Sequence, residues 1–182
     1  MRVRALSGFL GVGLALMATS ASAQWKSYVN KEAGFSFLMP GAMKTEKATI
    51  KSAAGDQAAT VYSATDDNIV YRVTVVEIGN QDPQAAINGA ATAFQTDKKV
   101  MADAQARVEQ NTGRKMTADL PNDGGRSMAA IYIKNNQLIQ LDVTVLPANG
   151  DFGTPDTGRF IDSIAFGDER YEADATELKL QK

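Results

Sequence analysis

Two periodicities run along this chain. Over residues 69–78, Ile69, Tyr71, Val73 and Val75 fall on one side of an extended backbone and Arg72 and Thr74 on the other. That period of two marks a half-buried β-strand. Val75 and Val76 are both apolar, which predicts either a bulge or a strand covered on both faces. The alternation returns over residues 138–145, where Ile139, Leu141, Val143 and Val145 alternate with Gln140, Asp142 and Thr144, the pattern of a sheet with one face in the core.

Between these strands the period changes. Asp82-Pro83 reads as a helix start, with Asp as N-cap and Pro at the first helical position. Ile87, Ala90, Ala91, Phe94 and Met101 then lie on one helical stripe, while Gln84, Asn88, Gln95 and Lys99 face outward. Gly89 sits inside this helix at a cost of ~1 kcal/mol relative to Ala.

Shorter strands are predicted at 25–29, 34–38, 44–51 and 58–64 before the helix, and at 107–110, 114–119 and 126–134 after it. Asp66-Asp67-Asn68 is a predicted turn, and Asn135-Asn136 a two-residue hairpin connection, because Asn tolerates positive φ. Thr154-Pro155 caps a short second helix that turns Phe160, Ile161 and Ile164 inward. After Gly167 the chain is mostly charged and reads as a frayed polar tail, residues 168–182, with one helical turn. The order strands, helix, strands, helix predicts an α+β domain in which helices pack on an antiparallel sheet.

Residues 1–23 stand outside this pattern. Arg2 and Arg4 precede an apolar run from Leu6 to Met17, and Ala21-Ser22-Ala23 fits the small-x-small rule for signal-peptide cleavage between Ala23 and Gln24. The run falls short of the ~20 residues that span a bilayer. No second long apolar segment follows, so no transmembrane segment is expected in the mature chain. The organisation expected is a signal peptide at 1–23, one α+β domain at 24–167 and the tail at 168–182, in a periplasmic or secreted protein. Cleavage takes two arginines and no acid from 19 basic and 21 acidic residues, leaving 159 of the 182 residues at a net charge of −4. That balance gives nucleic acid no basic surface.

Two further stretches carry a resemblance. Gly34-Phe35-Ser36-Phe37-Leu38-Met39-Pro40 follows an aromatic opening strand, and Gly158-Arg159-Phe160-Ile161-Asp162-Ser163-Ile164 follows the long hairpin. Together with the Tyr/Val-rich strand before the central helix, they make residues 25–166 resemble the PsbP-like superfamily. That superfamily groups small exported bacterial proteins with the PsbP subunit of photosystem II and a Ran-binding nuclear import factor. The resemblance implies an α/β/α sandwich around a central antiparallel sheet. It implies no activity, since fold does not carry function. The metal-linked residues proposed in the photosynthetic branch are not matched here.

The chain contains no histidine and no cysteine. This removes the commonest general base and metal ligand, along with disulfides and thiolate chemistry. Gly125-Arg126-Ser127-Met128-Ala129 misses the nucleophile-elbow pattern at its last position, and it falls on a predicted strand, where Ser127 reads as a surface serine. Asp66-Asp67 and Asp168-Glu169 are adjacent acids that diverge. The oxygen-rich segments 119–124 and Asn149, Asp151 and Asp156 lack calcium-loop spacing and read as Asx-rich turns. Trp25 and Tyr28 read as residues sealing the edge of the core rather than as a binding surface. No catalytic residue, cofactor or metal site is expected. The sequence points first to a non-catalytic exported module that binds a protein or envelope component, as a monomer or weak homodimer. The alternative is a protein that binds a small molecule or metal ion in a cleft between sheet and helix. An enzyme using carboxylate, Lys or Ser chemistry is the third class.

Overall fold

The computed structural model describes residues 24–52, 55–167 and 175–178. Its centre is a seven-stranded sheet in which every neighbouring pair is antiparallel. The strands are β3 (Lys44–Ser52), β4 (Gly55–Asp66), β5 (Ile69–Glu77), β6 (Lys99–Val108), β7 (Asn111–Asp119), β8 (Arg126–Lys134) and β9 (Gln137–Val145), in the order β3-β4-β5-β9-β8-β7-β6. A smaller sheet has the order β10-β2-β1-β11, from β1 (Trp25–Asn30), β2 (Phe35–Pro40), β10 (Ala165–Phe166) and β11 (Thr176–Glu177). Helix α1 spans Pro83–Gln95 and helix α2 spans Pro155–Ile161.

The hairpins follow from turn chemistry. Asn135 and Asn136 have φ of 48° and 64°, and Asp67 and Asn68 have φ of 46° and 58°. Two consecutive positive φ values are what a type I′ connection needs, and Asn and Asp tolerate them. Gly125, at φ +116°, brings the chain into β8.

The central sheet is covered on both faces. One face carries Tyr62, Ala64, Tyr71, Val73, Ala130, Tyr132, Ile139 and Leu141, packed against Phe35, Phe37, Met39 and Phe160 from the small sheet and α2. The other carries Ala59, Val76, Met116, Ala118, Ala129, Ile131 and Leu138, packed against Ile87, Ala91 and Phe94 of α1. Val75 and Val76 divide between these two cores, and the pairing of β5 with β4 and β9 runs without a bulge. The apolar pair therefore reflects double coverage.

Three expectations are corrected or refined. Helix α1 ends at Gln95, so Met101 lies on β6 and is 50% exposed, not on the helical stripe. The helix stops because Thr96, its C-cap, turns to extended dihedrals and Asp97 takes φ of 61°. The described end of the tail holds a strand, β11, that pairs in parallel with β1, and no helical turn. The layering is also more β-rich than the expected α/β/α sandwich. Helix α1 covers one face alone, but on the other face α2 shares its layer with a four-stranded sheet. Aromatic residues at both chain ends explain this, since Tyr28, Phe35, Phe37 and Phe166 can be buried only if their strands lie flat on the large sheet. Ala23 and the leader pattern, like Asp168 and Glu169, lie outside the described residues.

A cleft between helix α1 and the central sheet

Helix α1 packs chiefly over β7 and β8. The reason is in the residues below it. On this face β7 and β8 offer Met116, Ala118, Ala129 and Ile131, which bury well against Ile87, Ala91 and Phe94. The β5–β9 half of the same face is mixed in character. The paired rows are Val76–Leu138, Thr74–Gln140, Arg72–Asp142 and Val70–Thr144. The helix cannot cover the polar rows without desolvating them. A cleft of about 860 Å³ remains between the helix flank and this half of the sheet. Its volume lies within the range of small-molecule sites.

The helix wall of the cleft is made of small residues, among them Ala85, Ala86, Gly89, Ala90 and Ala93. A Cβ built on Gly89 meets no atom within 4 Å. No neighbour therefore demands glycine there, although it costs the helix ~1 kcal/mol.

The floor holds the chemistry. Gln140 Nε2 donates to Asp142 Oδ1 at 2.8 Å and to Oδ2 at 3.1 Å. Ser127 Oγ and Thr144 Oγ1 lie 2.7 Å apart and share a hydrogen bond. Burial pushes the Asp142 carboxyl up to about 6, against the opposing pull of the Gln140 hydrogen bond and the charges of Arg72 and Lys98. Lys98 donates to the Phe94 carbonyl and sits 4.7 Å above the Phe94 ring. Arg72 is exposed, and its side chain makes no hydrogen bond or ion pair among the described residues. The arrangement suits binding. The Ser127 hydroxyl is held by Thr144, and the carboxyl is held by Gln140.

The sequence candidates fall elsewhere. Ser127 lies on a strand as expected, but it is buried at 4% exposure rather than on the surface, because it faces the cleft beside Thr144. Asp119 accepts from Arg126 Nε at 2.8 Å, and Asp151 Oδ1 accepts from the Gly153 amide at 2.8 Å. These are turn and strand-end contacts. Among the described residues no three acidic side chains gather at one point. Tyr28 is core, and Trp25 packs edge-on against Tyr71 at 5.6 Å with the Arg159 guanidinium 4.4 Å over its ring. Ser163 Oγ accepts from the Leu38 amide at 3.0 Å and donates to the Phe160 carbonyl at 2.7 Å, so the Arg-Phe-x-x-Ser stretch ties α2 to β2.

Arg72, Lys98 and Asp142 were not singled out by the sequence. A signal for them exists. A helix stripe predicts coverage of one sheet face, and the polar residues of β5 and β9 cannot lie under it, so an uncovered polar strip beside a helix was implied.

Among the described residues no helix is long and apolar enough to cross a membrane. No protein-family model matches the chain, and no curated protein matches it in sequence. Its structure is similar to the solution structure of cyanobacterial PsbP (CyanoP) from Synechocystis sp. PCC 6803, with a TM-score of 0.54 and 16% identity over 88% of this chain and 98% of that one. The sheet order, the two helices and this likeness together give the chain a PsbP-like fold.

Proposed function

We propose that this protein is a non-catalytic binding module that is exported to the periplasm or beyond and holds a small ligand in the cleft between α1 and the central sheet. The observation that carries the reading is the cleft itself. It has about 860 Å³ of space, a wall rich in alanine and glycine, and a floor with hydrogen-bonding groups and a guanidinium that makes no hydrogen bond or ion pair among the described residues. Export is supported by the leader pattern of residues 1–23 and the Ala21-Ser22-Ala23 cleavage motif.

A ligand that binds the native state raises its stability. Thermal-shift and native mass spectrometry screens against metabolites and envelope extract should find a bound species that disappears in Gly89→Leu. That substitution places a side chain in open cleft space and improves helix propensity. Failure of every metabolite and extract to bind would end the reading. The exported protein should begin at Gln24 by mass.

A protein partner is the second reading, favoured by one feature. Strand β6 lies at the sheet edge and is exposed along most of its length, so a strand of another chain has an edge to join. Co-purification of a stoichiometric partner that is lost when Ala104 becomes proline would support it.

A further inference from the structure

The cleft has a direction. At the N-terminal end of α1 its floor is apolar, with Val76 and Leu138 beside Ile78, while Ile50 shares the rim with Lys51, Gln57 and Gln81. Two residues further along each strand the floor is Thr74 and Gln140, and two further again it is Arg72 and Asp142, beside Lys98 at the other end of the helix. From the Val76 row to the Thr144 row is six residues of strand, about 20 Å. The floor of the trough therefore runs from an apolar row to a charged one, with a helix wall rich in alanine and glycine that leaves width for a narrow chain.

The charged end sets the sign of the head. Arg72 comes from β5 and Lys98 from the turn after α1, while the β8 neighbour of Asp142 is Ala129. Two cations thus face one carboxyl. The carboxyl takes its hydrogen bonds from Gln140, while among the described residues the guanidinium makes no hydrogen bond or ion pair and feels Asp142 only through the field of its charge. A free guanidinium at the mouth of a partly desolvated site is a receptor for a carboxylate or phosphate, which it can hold through two parallel hydrogen bonds.

We infer that the cleft takes a single-chain amphiphile with an anionic head, its alkyl chain lying along the open flank of α1 at the Val76–Leu138 end and its head on Arg72 and Lys98. This inference rests on the cleft being the ligand site. Because burial raises the Asp142 pKa, that carboxyl resists charging and interferes less with an anion below pH 6 than above it.

Calorimetric titration at pH 7.5 with decanoate, decyl phosphate, decanol and decyltrimethylammonium, each below its aggregation concentration, tests the class. Decanoate or decyl phosphate should bind one per chain and more tightly than the other two, and the preferred one of the pair identifies the head as carboxylate or phosphate. Arg72→Gln should weaken that binding at least tenfold and leave decanol unchanged. Asp142→Asn should tighten it several-fold, and Gly89→Leu should abolish it. If only decanol or decyltrimethylammonium binds, and Gly89→Leu blocks it, the anionic head is overturned and the cleft reading stands. Binding of the anion that ignores Arg72→Gln, or no binding by any of the four, overturns the inference. Binding that survives Gly89→Leu overturns the cleft as well.

Discussion

Arg72 and Asp142 are cross-strand partners on β5 and β9, yet the carboxylate takes its hydrogen bonds from Gln140 and none from Arg72. An acid and a base that face each other across the sheet thus share no hydrogen bond, the acid half-buried and the base exposed. The Asp142 carboxyl rises to about 6, above the ordinary carboxylate value, because burial outweighs both cations.

That shift has a definite sign. A carboxyl raised in the folded state binds more protons there than in the unfolded chain between the two pKa values, so stability falls as pH rises from about 4 to about 6. The penalty at pH 7 is about 2 kcal/mol for a shift of this size, allowing for partial exposure. Asp142→Asn should therefore be more stable than the parent by about that amount at pH 7 and equal to it near pH 4. Urea titrations of both proteins at several pH values check this, and a constant difference across the range would refute it.

At the far edge of the sheet, Arg114 grips Asp103 through two bonds, Nε to Oδ1 and Nη2 to Oδ2, each 2.6 Å. The pair lies across β7 and β6, is about a quarter exposed, and holds Asp103 below the ordinary carboxylate range through the Arg114 hydrogen bonds. Its stabilisation is present above the unfolded pKa and lost as pH falls through the folded one. Arg114→Gln should cost up to ~1 kcal/mol, less in high salt, as an exposed bidentate pair does. Denaturant midpoints at low and high ionic strength measure both effects.

Gly125 should tolerate no side chain. Its φ is +116°, and an added Cβ would sit 2.1 Å from the Val145 carbonyl oxygen. Neither backbone can yield, because Val145 is paired with Arg126 and Ile69 in the centre of the sheet. Gly125→Ala is expected to lose roughly 3 kcal/mol or more, from strain plus the clash. A change under 1 kcal/mol in chemical denaturation would contradict the position of this turn.

Tyr71 carries the opposite expectation. Its ring packs against Phe160 at 5.3 Å and Trp25 at 5.6 Å, but its hydroxyl is buried with no hydrogen-bond partner among the described residues. Burial, with Asp156, Asp66 and Asp67 nearby, raises its pKa. Removing an unpaired buried hydroxyl relieves its desolvation cost, so Tyr71→Phe should be neutral or stabilise by ~1 kcal/mol. Thermal unfolding of the variant settles the sign, and a loss above 1 kcal/mol would show that the hydroxyl is bonded.

Much of the fold was legible in the sequence because it is written in local rules. The alternation of β5 and β9 was read onto the correct faces, and Asn135-Asn136 and Asp82-Pro83 sit where turn and cap chemistry puts them. What escaped was where a helix stops and where strands go. Val100 and Met101 continue a helical stripe as readily as they start an edge strand. Only the pairing of β6 with β7 decides between these, and at Lys99 and Val100 that pairing reaches Asp119 and Ala118 at the open end of the hairpin.

The sequence by itself determined that the α1 stripe and the inner faces of β5 and β9 must be buried, since apolar side chains at those periods cannot all meet water. It also determined that no histidine or cysteine takes part in any chemistry here. The tertiary structure alone decided that helix α1 covers β7 and β8 and leaves the polar rows of β5 and β9 beside a cleft. That choice is made by matching whole surfaces, apolar Met116, Ala129 and Ile131 against Ile87 and Phe94, while the desolvation cost of Arg72, Gln140 and Asp142 keeps the helix off the other half. The cleft follows from this division, which no single stretch of the chain records.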